Sequence, residues 1–279
     1  MTALPQPTIH TGGAGDVLVL RDRPKRRKKQ RELPGETTAP TVTLIIPTLN
    51  EARNIAWVLR RIPSCVTEVI LVDGFSSDGT CEVARRVRPD VIVVTQRGRG
   101  KGAALRTGFE RATGRYVVAI DADGSMEPAE IDFYVRALDQ GYDFVKGSRQ
   151  LRASGSLDLT HTRRLGNRAL VKTVNLMWGA SFSDLCYGYF GVRRDRLAAL
   201  QLRSPGFEIE TEIALRAVAE GLRIAEVPSI ELLRQHGQSN LHAWRDGWRI
   251  ARLIARERLP VARAPMVDGL DRRGLSSGL

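Results

Sequence analysis

Short apolar runs rich in β-branched residues recur along the chain, and the stretches between them carry apolar positions at helical spacing. Residues 42–46, 68–72, 91–94, 116–120 and 144–145 read as strands. Ile55, Val58, Leu59 and Ile62 fall at i, i+3, i+4 and i+7, the stripe of a helix packed on one side. Punctuation supports the same division: Asp78 suits a helix N-cap, Pro128 a first helical position, and Gly114 and Gly141 the positions just past a helix end. Strands alternating with helices predict an α/β fold with a mainly parallel, Rossmann-like central sheet flanked by helices. Beyond Gly147 the pattern is less regular, with helices expected over 163–178, 208–220 and 243–259 and strands over 187–192 and 223–227.

Charge and composition set the boundaries of this domain. Residues 1–39 mix Pro, Gly and Thr with a basic run, 21–31, that holds eight Lys or Arg against one Asp, or +7 of the +12 net charge. This segment is expected to be a disordered basic tail, 40–260 a single domain, and 261–279 a flexible end. Cys65, Cys81 and Cys186 are widely spaced and lack metal-binding spacing, which fits a reducing compartment. No apolar run reaches the roughly 18–20 residues that span a bilayer, and none resembles a signal peptide, so a cytoplasmic protein is expected.

The chemistry concentrates where strands end. The apolar run beginning at Tyr116 stops at Asp121-Ala-Asp123, which places two carboxylates in the crevice where open α/β sheets bind ligands. Paired hard oxygen ligands suit Mg²⁺ or Mn²⁺ shared with the phosphate oxygens of a substrate. Pro47-Thr-Leu-Asn-Glu51 and Asp73-Gly-Phe-Ser-Ser-Asp-Gly-Thr80 follow the first two strands, and Asp73 at a strand tip is a candidate for nucleotide contact. Asn50, Ser77 and Asp78 fit simple helix capping. Lys101, in the glycine-rich stretch 98–108, is a candidate phosphate ligand, although the spacing matches neither a P-loop nor a dinucleotide fingerprint.

These blocks, in this order, resemble the family 2 glycosyltransferases of the GT-A fold, especially the soluble catalytic domains of dolichol-phosphate and polyprenyl-phosphate sugar synthases. The resemblance extends over residues 41–258 and continues through Gly147-Ser-Arg149, Arg164 with Asn167, Asp184-x-x-x-Gly188, and Arg234-Gln-His-Gly-Gln-Ser239. It implies an inverting transfer of a hexose from GDP-mannose or UDP-glucose to a polyprenyl phosphate. Pro47, Leu49, Glu51, Asp73, Lys101, Asp121, Ala122, Asp123, Arg234 and Ser239 would then bind the donor. Asp121 and Asp123, with His236 as a possible third ligand, would hold the metal; Arg149 and Arg164 would stabilise the leaving diphosphate. Asp184 would act as a base if the acceptor were a hydroxyl. Three departures stand out: Asp73-Gly-Phe-Ser76 in place of Asp-Asp-Gly-Ser, Asn240 in place of a lysine, and Gly124 in place of a larger residue.

Other readings remain open at this level. A soluble hydroxyl acceptor fits the same donor chemistry. A sugar-phosphate nucleotidyltransferase would want a basic glycine-rich loop where Pro47-Thr-Leu-Asn-Glu51 stands, and a nucleic-acid-binding module would want aromatics within the basic run, which has none. Glu208, Glu210 and Glu212 fit either a helix start, where the dipole favours acids, or contact with the acceptor or sugar. In the last helix, Trp244, Trp248, Ala251 and Ala255 form a stripe flanked by Arg245, Arg249, Arg252 and Arg256, which suits either an anionic membrane surface or an ordinary packed helix.

Overall fold

In the computed structural model, which describes residues 41–237 and 243–258, one seven-stranded sheet forms the spine, in the order β3-β2-β1-β4-β7-β5-β8. The strands are β1 (Val42–Thr48), β2 (Glu68–Asp73), β3 (Ile92–Thr95), β4 (Tyr116–Ala119), β5 (Phe144–Ser148), β7 (Phe190–Arg193) and β8 (Ile224–Pro228). A second, two-stranded sheet pairs β6 (Gly155–Ser156) with β9 (Ile230–Glu231). Within the main sheet every pairing is parallel except those of β7, which runs antiparallel to both β4 and β5. The expected mainly parallel sheet is therefore present, with one reversal that hydrophobic spacing could not reveal.

Side chains of the central strands alternate between two cores. Val42, Leu44 and Ile46 join Val69 and Leu71 on one face, under α1 (Ile55–Arg60), α2 (Thr80–Val87) and α4 (Ile131–Asp139). Ile45, Ile70 and Val72 enter the other face, under α3 (Lys101–Arg111), α5 (His161–Trp178), α7 (Ile209–Ala219) and α8 (Ala243–Arg258). Burial on both faces explains why these strands read as continuous apolar runs rather than as alternating ones. A short helix, α6 (Arg194–Leu200), follows β7 directly.

The punctuation holds in part. Pro128 opens a 3₁₀ turn that leads into α4, and Gly141 takes a left-handed φ of 89° just past that helix. Gly114 does something else: α3 ends at Arg111, and a Cβ at 114 would lie 2.6 Å from the Thr43 backbone nitrogen, so glycine is required there by close packing. Asp78 sits one residue before the N-cap of α2, Gly79, and its carboxylate accepts from the Thr80 and Ala52 backbone N–H groups. The basic run 21–31, Ser239 and Asn240 lie outside the described residues.

Candidate active site

The carboxyl ends of β1, β2 and β4 open into a cavity of about 1310 Å³ that continues between α5 and α8. β4 delivers Asp121 to its wall, and a turn made possible by the left-handed φ of 77° at Gly124 holds Asp123 beside it. Asp123 Oδ1 accepts from both the backbone N–H and the hydroxyl of Ser125, which leaves Oδ2 for other partners. A side chain at 124 would strike Gln235, because the 232–235 segment lies over this turn through Leu232 N–H to Ser125 O and Gln235 N–H to Asp123 O.

Each acid of the pair meets a cation. Lys101 Nζ lies 2.5 Å from Asp121 Oδ1 and 2.6 Å from Glu210 Oε1, and Arg234 lies 2.7 Å from Asp123 Oδ2 and 2.9 Å from Glu51 Oε1. Burial raises the Asp121 carboxyl and Lys101 draws it back down, with the net result about 6. Burial also raises Glu51, against the pull of Asn54 and Arg234. The Lys101 ammonium is held above its ordinary range: burial disfavours its charge, and the Asp121 and Glu210 carboxylates outweigh that cost. Gly188 makes the cluster possible, since a Cβ there would stand 2.5 Å from Lys101 Nζ and 2.6 Å from Glu210 Oε1.

Several expected residues are placed elsewhere. Asp184 is fully buried and does not line the cavity. Its oxygens accept from Arg149 N–H, Nε and Nη2, from Asn167 Nδ2 and from the Cys186 N–H. Burial alone would raise its carboxyl, but Arg149 holds it below the ordinary range. A carboxylate so committed is a poor proton acceptor, so the expectation of Asp184 as a base is replaced by that of a clamp on Arg149. Arg149 reaches the cavity wall with its fork already used by Asp184, Glu231 and the Cys186 carbonyl.

Arg164 does not line the cavity; Arg163, one position earlier on α5, does. Asp73 turns its carboxylate onto the N–H groups of Phe75 and Ser76 and stays off the cavity surface. The wall there is formed by Gly74 and by Phe75, which is 60% exposed at a left-handed φ of 70°. His236 is exposed and is not among the lining residues, and among the described residues no three His, Cys, Asp or Glu side chains gather as a metal-binding group. The start of α3 is also committed, because the Gly102 and Ala103 N–H groups both donate to the Pro205 carbonyl. Pro47, Leu49 and Ala122 line the cavity.

Residues 43–200 match the model of glycosyl transferase family 2. The chain belongs to this family. As a family 2 glycosyltransferase it is 34% identical over 215 residues to glycosyltransferase AglJ of Haloferax volcanii, covering 75% of this chain and 69% of that protein. It is 32% identical over 224 residues to the polyprenol monophosphomannose synthase of Mycolicibacterium smegmatis, covering 74% of this chain and 83% of that one. The chain spans 53% of the length of the hexosyltransferase Agl6 of Haloferax volcanii, to which it is 32% identical over 226 residues. Its GT-A fold is shared with glucosyl-3-phosphoglycerate synthase of Mycobacterium tuberculosis, crystallised with Mn²⁺, UDP and glucosyl-3-phosphoglycerate, at a TM-score of 0.64 and 24% identity over 82% of this chain and 86% of that one.

Two parts of the transferase cavity escaped the sequence reading. Glu210 looked like a dipole-facing acid at the start of α7, yet it is buried and paired with Lys101 across 109 residues of sequence. At the far mouth, Ile250, Leu253 and Ile254 of α8 face the core, while Trp244 and Trp248 are 87% and 66% exposed. Leu165 of α5 joins them at the rim, 70% exposed while also lining the cavity.

Proposed function

We propose that this protein moves a hexose, with inversion, from a nucleoside-diphosphate donor to a polyprenyl phosphate, using Mg²⁺ or Mn²⁺. One observation favours an acceptor that is already an anion. Every carboxylate among the described cavity-lining residues, Glu51, Asp121, Asp123, Asp158, Glu210, Glu231 and Asp246, has an Arg or Lys within ion-pair distance, and no histidine lies among them. A hydroxyl nucleophile would need a base, commonly worth about 10²- to 10⁴-fold in rate, and paired carboxylates supply it poorly. A phosphate oxygen needs none near neutral pH.

Asp121 and Asp123 fit a divalent ion that is only partly protein-bound, since two carboxylates leave the remaining positions to diphosphate oxygens and water. Such an ion would offset charge on the departing diphosphate. Lys101 and Arg234 stand next to the same two acids and supply further positive charge, while Phe75 and the 47–51 loop offer walls for the nucleoside. The names of relatives agree with this acceptor: besides the polyprenol monophosphomannose synthase, a 32% identical protein of Edwardsiella ictaluri is an undecaprenyl-phosphate 4-deoxy-4-formamido-L-arabinose transferase. No helix among the described residues is long and apolar enough to cross a membrane. Peripheral contact of the Trp244, Trp248 and Leu165 rim with an anionic bilayer would bring the cavity to such an acceptor, and the exposed Arg245, Arg249, Arg252, Arg168 and Lys172 beside it favour negative headgroups.

The test is transfer from radiolabelled GDP-mannose or UDP-glucose with polyprenyl phosphate and Mn²⁺. Label in the organic phase is expected. Label confined to an aqueous product would favour the second reading, a soluble acceptor, to which the shared fold with glucosyl-3-phosphoglycerate synthase points.

A further inference from the structure

Lys101 has two carboxylates at nearly equal distance, one of which belongs to the acid pair. Asp121 Oδ1 is 2.5 Å away and Glu210 Oε1 2.6 Å away, and the Lys101 side chain is only 10% exposed. Its position is built by three separate segments: the start of α3 carries the lysine, α7 brings Glu210, and the missing side chain of Gly188 leaves the space in which the ammonium sits. Arg234 repeats the arrangement on the other acid, bridging Asp123 and Glu51. Both carboxylates that would face a divalent ion are thus already compensated from within the chain.

A second cation brought against Asp121 is repelled by Lys101 in a site where solvent screens weakly. Glu210 changes the outcome, because it gives Lys101 a partner that does not depend on Asp121. A donor diphosphate adds a further anion beside the lysine. We propose that Lys101 is an exchangeable internal cation that holds Asp121 in the donor-free protein and releases it when a diphosphate arrives. Divalent ion and nucleotide therefore bind as a coupled pair, and the ion alone binds weakly. This inference rests on the donor-site reading above and assigns Lys101 and Glu210 a positioning role within it.

The coupling is measured by titrating Mn²⁺ into the full chain and following the loss of the free Mn²⁺ electron paramagnetic resonance signal, with and without UDP or GDP. Wild-type protein is expected to bind Mn²⁺ at least about tenfold more tightly with the matching nucleotide, and Mn²⁺ is expected to raise nucleotide affinity by the same factor. Lys101→Met is expected to bind Mn²⁺ alone at least about tenfold more tightly than wild type, so that the coupling shrinks. Lys101→Gln, which keeps a donor for one of the two acids, carries the same test should the methionine variant not fold. Mn²⁺ affinity without nucleotide that is the same in wild type and in the folded variants overturns the role of Lys101. Absence of any Mn²⁺ or nucleotide binding by the wild type overturns the donor-site reading instead.

Discussion

Arg149 and Asp184 meet fork to fork, with Nε 2.7 Å from Oδ2 and Nη2 3.1 Å from Oδ1. Removing one partner from a buried pair of this kind leaves an uncompensated charge and costs about 3–5 kcal/mol. Asp184→Ala is therefore expected to lower the stability of the fold by about that amount, read from the shift in urea midpoint at constant slope. A variant with a wild-type midpoint and lost turnover would return Asp184 to a direct part in the reaction.

Asp123→Ala removes a carboxylate from the cavity wall without touching either apolar core. Under the proposed mechanism transfer falls by at least about 10²-fold, because the leaving diphosphate loses its charge compensation. The circular dichroism spectrum should remain that of the wild type. Full activity of this variant in the presence of Mn²⁺ would remove the acid pair from the donor site.

Glu226 lies beneath the Asp184 loop and accepts from the Ser183 N–H and hydroxyl and from the Asp184 N–H. Burial pushes its carboxyl up to about 7 from an ordinary 4.5, against the pull of the Ser183 bonds and of Lys146. Between those two values the folded protein keeps a proton that the unfolded chain has released. Stability conferred by this group is thus greatest below pH 4.5, falls as pH rises through the window, and levels off above about 7. Relative to wild type, Glu226→Gln should gain stability between pH 5 and pH 8, by about 3 kcal/mol at most. Parallel pH profiles for the two proteins in urea unfolding would show that Glu226 stays ionised in the fold.

Trp244 and Trp248 project from α8 on the side away from the core residues Ile250, Leu253 and Ile254. Trp244→Ser with Trp248→Ser should leave stability within about 0.5 kcal/mol, as expected for exposed positions. The same pair should weaken co-sedimentation with anionic phosphatidylglycerol vesicles by at least about fivefold. Equal sedimentation of variant and wild type would remove α8 from any membrane-facing surface.

The strands and their acidic ends were legible because burial on both faces of a sheet leaves unbroken apolar runs, and because the chain must become polar where a strand reaches the cleft. The stripe of Ile55, Val58 and Leu59 was legible for the related reason that a helix on a sheet buries one side. What escaped depends on contacts between distant segments. Nothing local distinguishes Arg163 from Arg164; the rotation of α5 against the sheet decides which one meets the cavity. Asp184 has the motif of a reactive acid and the surroundings of a structural one, and only the fold brings Arg149 and Asn167 onto it. Likewise the glycines around Lys101 suggested a hinge carrying a phosphate-binding cation, whereas close packing against residues 204–206 accounts for Gly100 and Gly102, and the Pro205 carbonyl takes the N–H groups of Gly102 and Ala103.

The single reversed strand, β7, has a bearing on biosynthesis. Because it runs against its neighbours, the backbone reaches Gly188 only after leaving along β5, making the long α5, and returning. Asp121 and Asp123, which follow β4, are synthesised well before Glu210, the second partner of Lys101, and before Arg234, the cation that meets Asp123. A nascent chain halted before that return carries the carboxylates on a half-built sheet with much of their electrostatic frame still unmade, so maturation of the donor pocket is tied to completion of the domain.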